Sequence, residues 1–303
     1  MNDHIRKKED YAEGLRRVAH EIAGLARSEA IEPTHDQEAA IHEVRKSCKR
    51  GRALVRLFRP HDEETYQIEN ACFRNAARKL SSLRDAAAML ECYDKMMNLA
   101  PAKLDKRKFA PIRRALDDHR EEKLSGSEEQ RQALNQFADS MNQACERIVA
   151  WEFSINDFSI VLDGFLKTYR RGRKAMRKAE TEPSVEHYHE WRKRVKYHRY
   201  HLHTIRKIWK PIMKSQRKQV NKLSNLLGDD HDIAILTGFI RDHLQGRLAP
   251  DALLAFDDLA SSQSNALRTE AHMLGARIYA EKPKHLSLKL QQWDKALAVT
   301  RAG

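Results

Sequence analysis

The chain of 303 residues is 41% hydrophobic and 33% charged, with a formal net charge of +13. Only 11 glycines and 8 prolines interrupt it, a balance typical of long solvated helices rather than sheet. Every apolar run is shorter than the ~20 residues of a membrane-spanning helix, and no apolar segment follows the charged N-terminus as in a secretory signal. The composition therefore predicts a cytoplasmic protein without membrane insertion and with a polyanionic partner: a nucleic acid, an anionic membrane surface or a phosphate polymer.

Amphipathic helices fill the first half of the chain. Apolar residues at helical spacing predict helices over 11–30, 34–59, 62–83, 84–97, 112–122 and 127–151. Thr34 is the predicted N-cap of the second helix, and Pro60 ends it. The four cysteines, Cys48, Cys72, Cys92 and Cys145, lie inside these helices without a CxxC pair. We expect them to be buried, reduced thiols.

The pattern restarts after residues 153–156. Glu32-Pro33-Thr34 matches Glu182-Pro183-Ser184 at a distance of 150 positions. A second basic helix is predicted over the stretch 189–203, and further helices at about 211–227, 232–244, 252–281 and 285–299. The sequence thus predicts an all-α protein of two related antiparallel helical bundles, residues 1–152 and 157–303, formed by internal duplication and packed about a pseudo-two-fold axis.

Both halves carry a row of cationic side chains on one helix face. The first row is His42, Arg45, Lys49, Arg52 and Arg56; 147 positions later the second row is His189, Arg192, Lys196, Arg199 and His203. The spacing i, i+3, i+7, i+10, i+14 keeps each row within an arc of about 80° and makes it about 21 Å long. Val44 and Val195 are among the apolar residues on the opposite faces. Each segment is therefore an amphipathic helix with one apolar and one cationic face.

These rows predict an anion-binding surface. Apart from Glu43 and Glu190 the faces are cationic, and like charges along a helix are unfavourable unless a ligand neutralises them. Arginine binds phosphate oxygens in pairs and lysine acts as a point charge. A row about 20 Å long suits a polymer better than a single phosphate. No zinc finger, RNA-recognition motif or helix-turn-helix is visible, so phosphate contacts are favoured over base reading.

Two other clusters allow different chemistry. Histidines at 187, 189, 198, 201 and 203 invite a metal site, but helical geometry spreads them around the helix and the neighbouring cations repel a metal. His231 and Asp232 resemble the His-Asp pair of metal-dependent phosphohydrolases. The repeat places Arg84 opposite His231, and arginine is no metal ligand; Asp85 and Asp232 are instead predicted charges at helix N-termini. We predict no catalytic residues, no metal and no cofactor.

The doubled pattern resembles a known family. His42-x-x-Arg45-Lys46-x-x-Lys49-Arg50-x-Arg52 and His189-x-x-Arg192-Lys193-x-x-Lys196-Tyr197-x-Arg199, followed by Leu83-Arg84-Asp85 and by residues 227–232, are similar to the motifs of the CHAD family, the conserved-histidine α-helical domain. Tyr197 and His203 depart from the Arg50 and Arg56 types. The resemblance implies an all-α fold with a basic central groove, binding of inorganic polyphosphate and, in bacteria, targeting to polyphosphate granules. No Glu-x-Glu-x-Lys signature of a fused triphosphatase is found, so we expect a stand-alone module.

Together these observations predict non-catalytic binding of inorganic polyphosphate at cytoplasmic granules, with polyphosphate-metabolising enzymes as further partners. The predicted binding residues are His42, Arg45, Lys46, Lys49, Arg50, Arg52, Arg56, Arg74, Arg78, His189, Arg192, Lys193, Lys196, Arg199, His203, Lys218 and Lys222. Two alternatives remain open at this point: a metal-dependent phosphohydrolase acting on polyphosphate or nucleotides through His231 and Asp232, and a non-specific nucleic-acid binder. In the favoured interpretation nucleic acid is only a non-specific competitor.

Overall fold

The prediction of an all-α protein is confirmed by a computed structural model, which describes residues 3–34, 36–124, 127–244 and 246–302. These residues form α-helices and two short 3₁₀ turns, with no strand among them. The helices are α1 (Tyr11–Ile31), α2 (Gln37–Phe58), α3 (Glu63–Arg78), α4 (Ser81–Leu99), α5 (Ala110–Leu124), α6 (Ser127–Val149), α7 (Ser159–Thr181), α8 (Val185–Thr204), α9 (Lys210–Leu244), α10 (Pro250–Ile278) and α11 (Pro283–Ala302). Within the described ranges, none of them combines the length and the apolar character that a bilayer crossing requires.

The first basic helix, α2, begins later than its sequence suggests. The predicted cap, Thr34, donates its hydroxyl to the Glu29 carboxylate instead. The side chain of Asp36 takes the capping position and accepts a hydrogen bond from the Ala39 N–H at 2.8 Å. A carboxylate there satisfies an unpaired amide and also lies at the positive end of the helix dipole. The prediction of a Thr34 cap is therefore wrong.

The predicted break between residues 227 and 232 is also wrong, because α9 runs without interruption from Lys210 to Leu244. Gly228 lies in its middle, where glycine costs about 1 kcal/mol relative to alanine. Burial of Leu227 and Ile233 on either side outweighs that cost, as packing of an apolar face generally outweighs propensity. Asp232 consequently lies inside a helix and supplies no N-terminal charge. The side chain of its predicted counterpart, Asp85, lies outside the described part of the chain.

Apolar side chains form two separate cores. The larger core joins α1, α2, α3, α6, α7 and α8 with parts of α9, α10 and α11, and it includes Phe58, Phe165 and Trp191. The smaller core joins α4, α5, the second half of α9 and the first part of α10, around Phe109 and Phe256. Both cores therefore contain helices from before and after residues 153–156. The internal duplication and its symmetry stay a prediction.

Close backbone contacts hold α2, α7 and α8 together. A Cβ at Gly164 of α7 would lie 2.1 Å from the Leu57 carbonyl oxygen of α2, so only glycine allows this approach. His201 of α8 donates from Nε2 to the Ala53 carbonyl oxygen of α2 at 2.8 Å. The predicted apolar faces are buried, as illustrated by Val44 in α2, which is fully inaccessible. These contacts fix the positions of α2 and α8, the two helices that carry the cationic rows, relative to each other.

Candidate functional site

The cationic rows of α2 and α8 lie next to each other. Burial and the charges of Arg192, Lys49 and Arg199 lower the pKa of Lys196 to about 7. Of these residues, Lys49 belongs to the row on α2, whereas the others lie on α8 itself. A half-buried ammonium surrounded by cations gains its proton more readily once an anion is bound beside it. Four of the row positions predicted from sequence, Lys49, Arg192, Lys196 and Arg199, therefore form one electrostatic cluster that favours an anionic ligand.

A cavity of about 340 Å³ opens between α2, α8 and α9, and we call it the cationic cavity. It is lined by Asp3, Lys46, Arg50, Arg199, Tyr200, His203, Lys214, Arg217, Lys218 and Asn221. Six of these side chains are lysine or arginine. Sequence reasoning missed Lys214 and Arg217. Lys214 precedes Arg217 by three positions and Lys218 by four along α9. This spacing was the available signal, because residues three and four apart share a helix face.

The only carboxylate in the wall of the cationic cavity, among the described residues, is that of Asp3. Its Oδ1 lies 2.6 Å from His203 Nε2, and its Oδ2 lies 3.7 Å from Arg50 Nε. Burial alone would raise the pKa of this carboxyl, but the hydrogen bond and charge of His203 and the charge of Arg50 lower it to about 2. The cavity therefore stabilises an anionic oxygen of the chain itself. No local spacing predicts this contact, because it joins residues 200 positions apart.

Arg45 and Arg192 anchor the rows to neighbouring helices. Arg45 Nη1 donates to the Leu80 carbonyl oxygen at 2.9 Å, at the start of α4. Arg192 Nη2 lies 3.7 Å from the Asp232 carboxylate of α9. Burial lowers the pKa of Arg192, and the charge of Asp232 opposes that effect. Asp232, which sequence reasoning considered for catalysis, therefore serves as a partner of the cationic row.

The second row begins with a pair of histidines. His189 Nδ1 and His231 Nδ1 are 3.2 Å apart, and the ring centroids are 4.4 Å apart. At this distance one nitrogen donates and the other accepts, so the two rings fix each other's tautomers. Burial, Arg192 and His189 lower the pKa of His231 to about 3; burial and nearby lysine and arginine also lower the pKa of His189. Both rings are neutral at pH 7.

Arg52 and Arg56, at the end of the first row, are engaged in packing. The Arg56 guanidinium lies 4.2 Å from the ring centroid of Tyr197 and donates to the Arg52 carbonyl oxygen. Burial lowers the pKa of Arg56. Arg52 Nε donates to Asn70 Oδ1 at 3.3 Å, which connects α2 to α3. Their role in ligand binding stays a prediction.

The other predicted residues lie toward the surface. Lys46 pairs with Glu43 at 2.8 Å and Lys193 with Glu190 at 3.3 Å. Exposed pairs of this kind contribute at most about 1 kcal/mol, so a polyanion can replace the glutamates. His42 is exposed on α2, Arg74 and Arg78 are exposed on α3, and Lys222 is exposed on α9, where it pairs with Glu270 at 2.6 Å.

The histidines considered as metal ligands are dispersed. His198 and His201 face the core, and burial lowers their pKa values to about 4 and about 3. His187 Nδ1 lies 2.6 Å from the Glu182 carbonyl oxygen, and His203 contacts Asp3. In the part of the chain that the structure describes, no three His, Cys, Asp or Glu side chains are grouped so that they could hold a metal.

The fold is all-α, and two of its helices carry a cationic row that begins with a histidine. The family described as CHAD domain matches residues 14–241, about three quarters of the sequence. The chain therefore belongs to the CHAD domain family. No curated protein matches the chain significantly.

Solved structures show the same fold. The chain is similar to the crystal structure of the CHAD domain from the plant Ricinus communis, with a TM-score of 0.56 and 15% identity over 86% of this chain and 91% of that chain. It is also similar to PptA from Streptomyces chartreusis, with a TM-score of 0.59 and 15% identity over 90% of this chain and 100% of that chain. At such low identity the likeness establishes the fold alone.

Proposed function

We propose that the protein binds inorganic polyphosphate, without chemical turnover, in the cationic cavity and along the adjoining rows of α2 and α8. The observation that carries this proposal is the convergence of six lysine and arginine side chains from three helices on one cavity. Membership in the CHAD domain family supports the same ligand. The proposal does not depend on a pseudo-two-fold symmetry between the two halves of the chain.

The number of cations favours a phosphate chain over a single phosphate. One phosphate group is satisfied by two or three charged donors. The cationic cavity offers Arg50, Arg199 and Arg217 for paired hydrogen bonds, and three lysines add point charges. Beyond the cavity, the cluster around Lys196 continues the positive surface along α8. A polymer with one negative charge per unit can occupy all these groups at once.

Binding requires two changes within the site. A phosphate oxygen beside Lys196 raises the pKa of that lysine from its value of about 7, so the complex takes up a proton. A second phosphate competes with the Asp3 carboxylate for Arg50 and His203. Release of counterions from the polymer supplies further free energy and makes the affinity depend on salt.

The absence of turnover is part of the proposal. A phosphohydrolase using His231 would need that imidazole as a base near neutral pH, since general bases work best when their pKa lies near the working pH. The pKa of His231 is about 3, and its Nδ1 faces His189. This environment supports a positioning role for the ring. We also expect the protein to act in the cytoplasm at polyphosphate granules, where polyphosphate-metabolising enzymes are candidate partners.

Matched charge removal tests the proposal. The triple variant Lys46→Ala, Arg199→Ala, Lys214→Ala removes one cation from each wall of the cavity, whereas Lys103→Ala, Arg247→Ala, Lys284→Ala removes three exposed cations elsewhere. We expect the first variant to bind long-chain polyphosphate at least about tenfold more weakly and the slope of log K against log salt to fall by about 2, at about 0.7 per lost contact. Equal losses in both variants, with unchanged helicity, would contradict the proposal.

A further inference from the structure

A second cavity, of about 560 Å³, lies on the other side of α8 from the cationic row. It is bounded by α7, α9, α10 and α11, and we call it the apolar cleft. Its walls are formed by Phe165, Tyr169, His198, Gln216, Gln219, Val220, Leu274, Arg277, Ile278, Ala280, Glu281 and Leu286. Both the volume and the predominantly apolar lining with a few polar groups are those of small-molecule sites, which measure about 300–1,000 Å³.

The inner wall of the apolar cleft contains an unsatisfied histidine. His198 is only 4% exposed, and its Nδ1 is buried without a hydrogen-bond partner. Its ring packs against Phe165 and Tyr169, with centroid distances of 5.1 and 5.6 Å. Burial lowers the pKa of His198 to about 4, so the ring is neutral. A buried polar group without a partner costs free energy. The imidazole lines the apolar cleft, and a ligand hydroxyl can hydrogen-bond to it once the ring turns towards the cleft.

The mouth of the apolar cleft carries positive charge. Arg277, near the end of α10, is exposed at the rim. The rim carboxylate of Glu281 is paired with Lys289, and the Glu281 carbonyl oxygen accepts from the Tyr169 hydroxyl at 2.9 Å. The rim acid is thereby neutralised, and Arg277 remains as the charge that selects a ligand. A carboxylate at the mouth complements it.

We infer that the apolar cleft binds a small hydroxyaryl carboxylate. The aromatic body enters between Phe165, Val220 and Leu274, the hydroxyl reaches His198 at the inner end, and the carboxylate meets Arg277 at the mouth. This site is separate from the polyphosphate surface. At about 100° per residue, His198 lies about 180° around α8 from His189, the first residue of the cationic row.

The test uses the full-length protein and the probe 6-hydroxy-2-naphthoate, titrated by fluorescence in the presence of saturating tripolyphosphate. We expect saturable one-to-one binding. Arg277→Glu should weaken it about fivefold, the effect of a rim charge, and should leave the neutral probe 6-hydroxy-2-naphthamide within twofold. Arg247→Glu, the same charge change beyond the other end of α10, should leave both probes unchanged. We expect the unmodified protein to bind 6-hydroxy-2-naphthoate more tightly than 2-naphthoate, which lacks the hydroxyl. His198→Phe should bind these two probes with equal affinity.

Leu274→Trp fills the apolar cleft and should abolish binding of 6-hydroxy-2-naphthoate and 6-hydroxy-2-naphthamide. Circular dichroism verifies that this variant keeps its helicity. Arg277 is exposed, so its variant keeps the inference testable even if the tryptophan variant misfolds. Binding of the probe only when tripolyphosphate is left out would place it on the cationic surface and overturn the inference. Equal effects of Arg277→Glu and Arg247→Glu, or no saturable binding by the unmodified protein, would do the same.

Discussion

Asp3 and His203 are joined by a hydrogen bond of 2.6 Å between Oδ1 and Nε2, although 200 residues separate them. The contact brings the beginning of the chain onto the end of α8. Ile5, which is fully buried, donates its N–H to the Thr204 carbonyl oxygen at 3.0 Å and holds the segment there. The Asp3 carboxylate consequently lies in the cationic cavity, in a place that the proposed function assigns to a phosphate oxygen.

Removal of that carboxylate should strengthen polyphosphate binding. Asp3→Asn keeps the shape of the side chain but adds one net positive charge to the cationic cavity and removes an internal competitor. We expect the affinity for polyphosphate to rise about fivefold, which corresponds to roughly 1 kcal/mol. Titration at constant salt measures it. Asp10→Asn, at an exposed aspartate outside the cavity, is the matched control; equal affinities of the two variants would refute the competition.

Polyphosphate binding should also depend on the protonation of Lys196. Its pKa is about 7 in the free protein, and a bound anion raises it. Below pH 7 the lysine is charged in both states and the affinity is highest. As the pH rises above 7, binding must take up a proton, and the affinity falls until the pKa of the complex is passed.

Calorimetry in two buffers of different ionisation enthalpy measures this proton uptake. Lys196→Met should remove it near pH 8 and flatten the pH dependence of the affinity. Lys193→Met is the matched control on the same helix, because Lys193 is exposed. A proton uptake that persists in Lys196→Met would assign the titration to another group.

Acid should destabilise the fold through buried histidines. His201 is fully buried, and its pKa is about 3 because burial disfavours the charged ring. The unfolded chain binds the proton at about pH 6.5, so the stability from this group is fully present above that pH and falls as the pH drops from 6.5 towards 3. His201→Gln keeps a donor for the Ala53 carbonyl oxygen but does not titrate.

Urea unfolding at pH 7 and pH 4.5 tests this prediction. The loss of unfolding free energy between the two pH values should be smaller by about 2–3 kcal/mol in His201→Gln than in the unmodified protein. At pH 7, His201→Leu should be about 2 kcal/mol less stable than the unmodified protein, because it leaves a buried carbonyl unpaired. Identical pH dependences of His201→Gln and the unmodified protein would contradict the assignment.

The frame that holds the basic helices should depend on Gly164. Its missing side chain lets α7 approach the backbone of α2, where a Cβ would lie 2.1 Å from the Leu57 carbonyl oxygen. We expect Gly164→Ala to lower the free energy of unfolding by about 3 kcal/mol through overpacking. At Gly24 in α1, no described residue beyond the adjoining backbone of its own helix lies within 4 Å of a Cβ position, so Gly24→Ala should instead raise it by about 0.5–1 kcal/mol. Urea titration of both variants decides; equal effects would exclude the close contact.

The sequence predicts the features that depend on local spacing. The period of the apolar residues predicts the helices, and the burial of Val44 and Trp191 follows from the same pattern. Features that depend on distant partners are not predictable in this way. The Asp3 contact is an example, and so is the stacking of Arg56 on Tyr197, which makes a row position part of the packing. The unbroken α9 is a third example, because tertiary burial on both sides of Gly228 outweighs a local signal.

Competition between polyanions tests the central claim most directly. Labelled long-chain polyphosphate bound to the protein is challenged with duplex DNA and single-stranded RNA at two salt concentrations, with charges matched per phosphate. Salt weakens all three ligands, so the comparison at each salt concentration decides. We expect polyphosphate to remain bound against a large excess of either nucleic acid, because under the proposed function the cationic cavity admits a flexible chain of phosphates. Displacement by an equal concentration of nucleic acid would contradict the account and would make the basic helices a general polyanion surface.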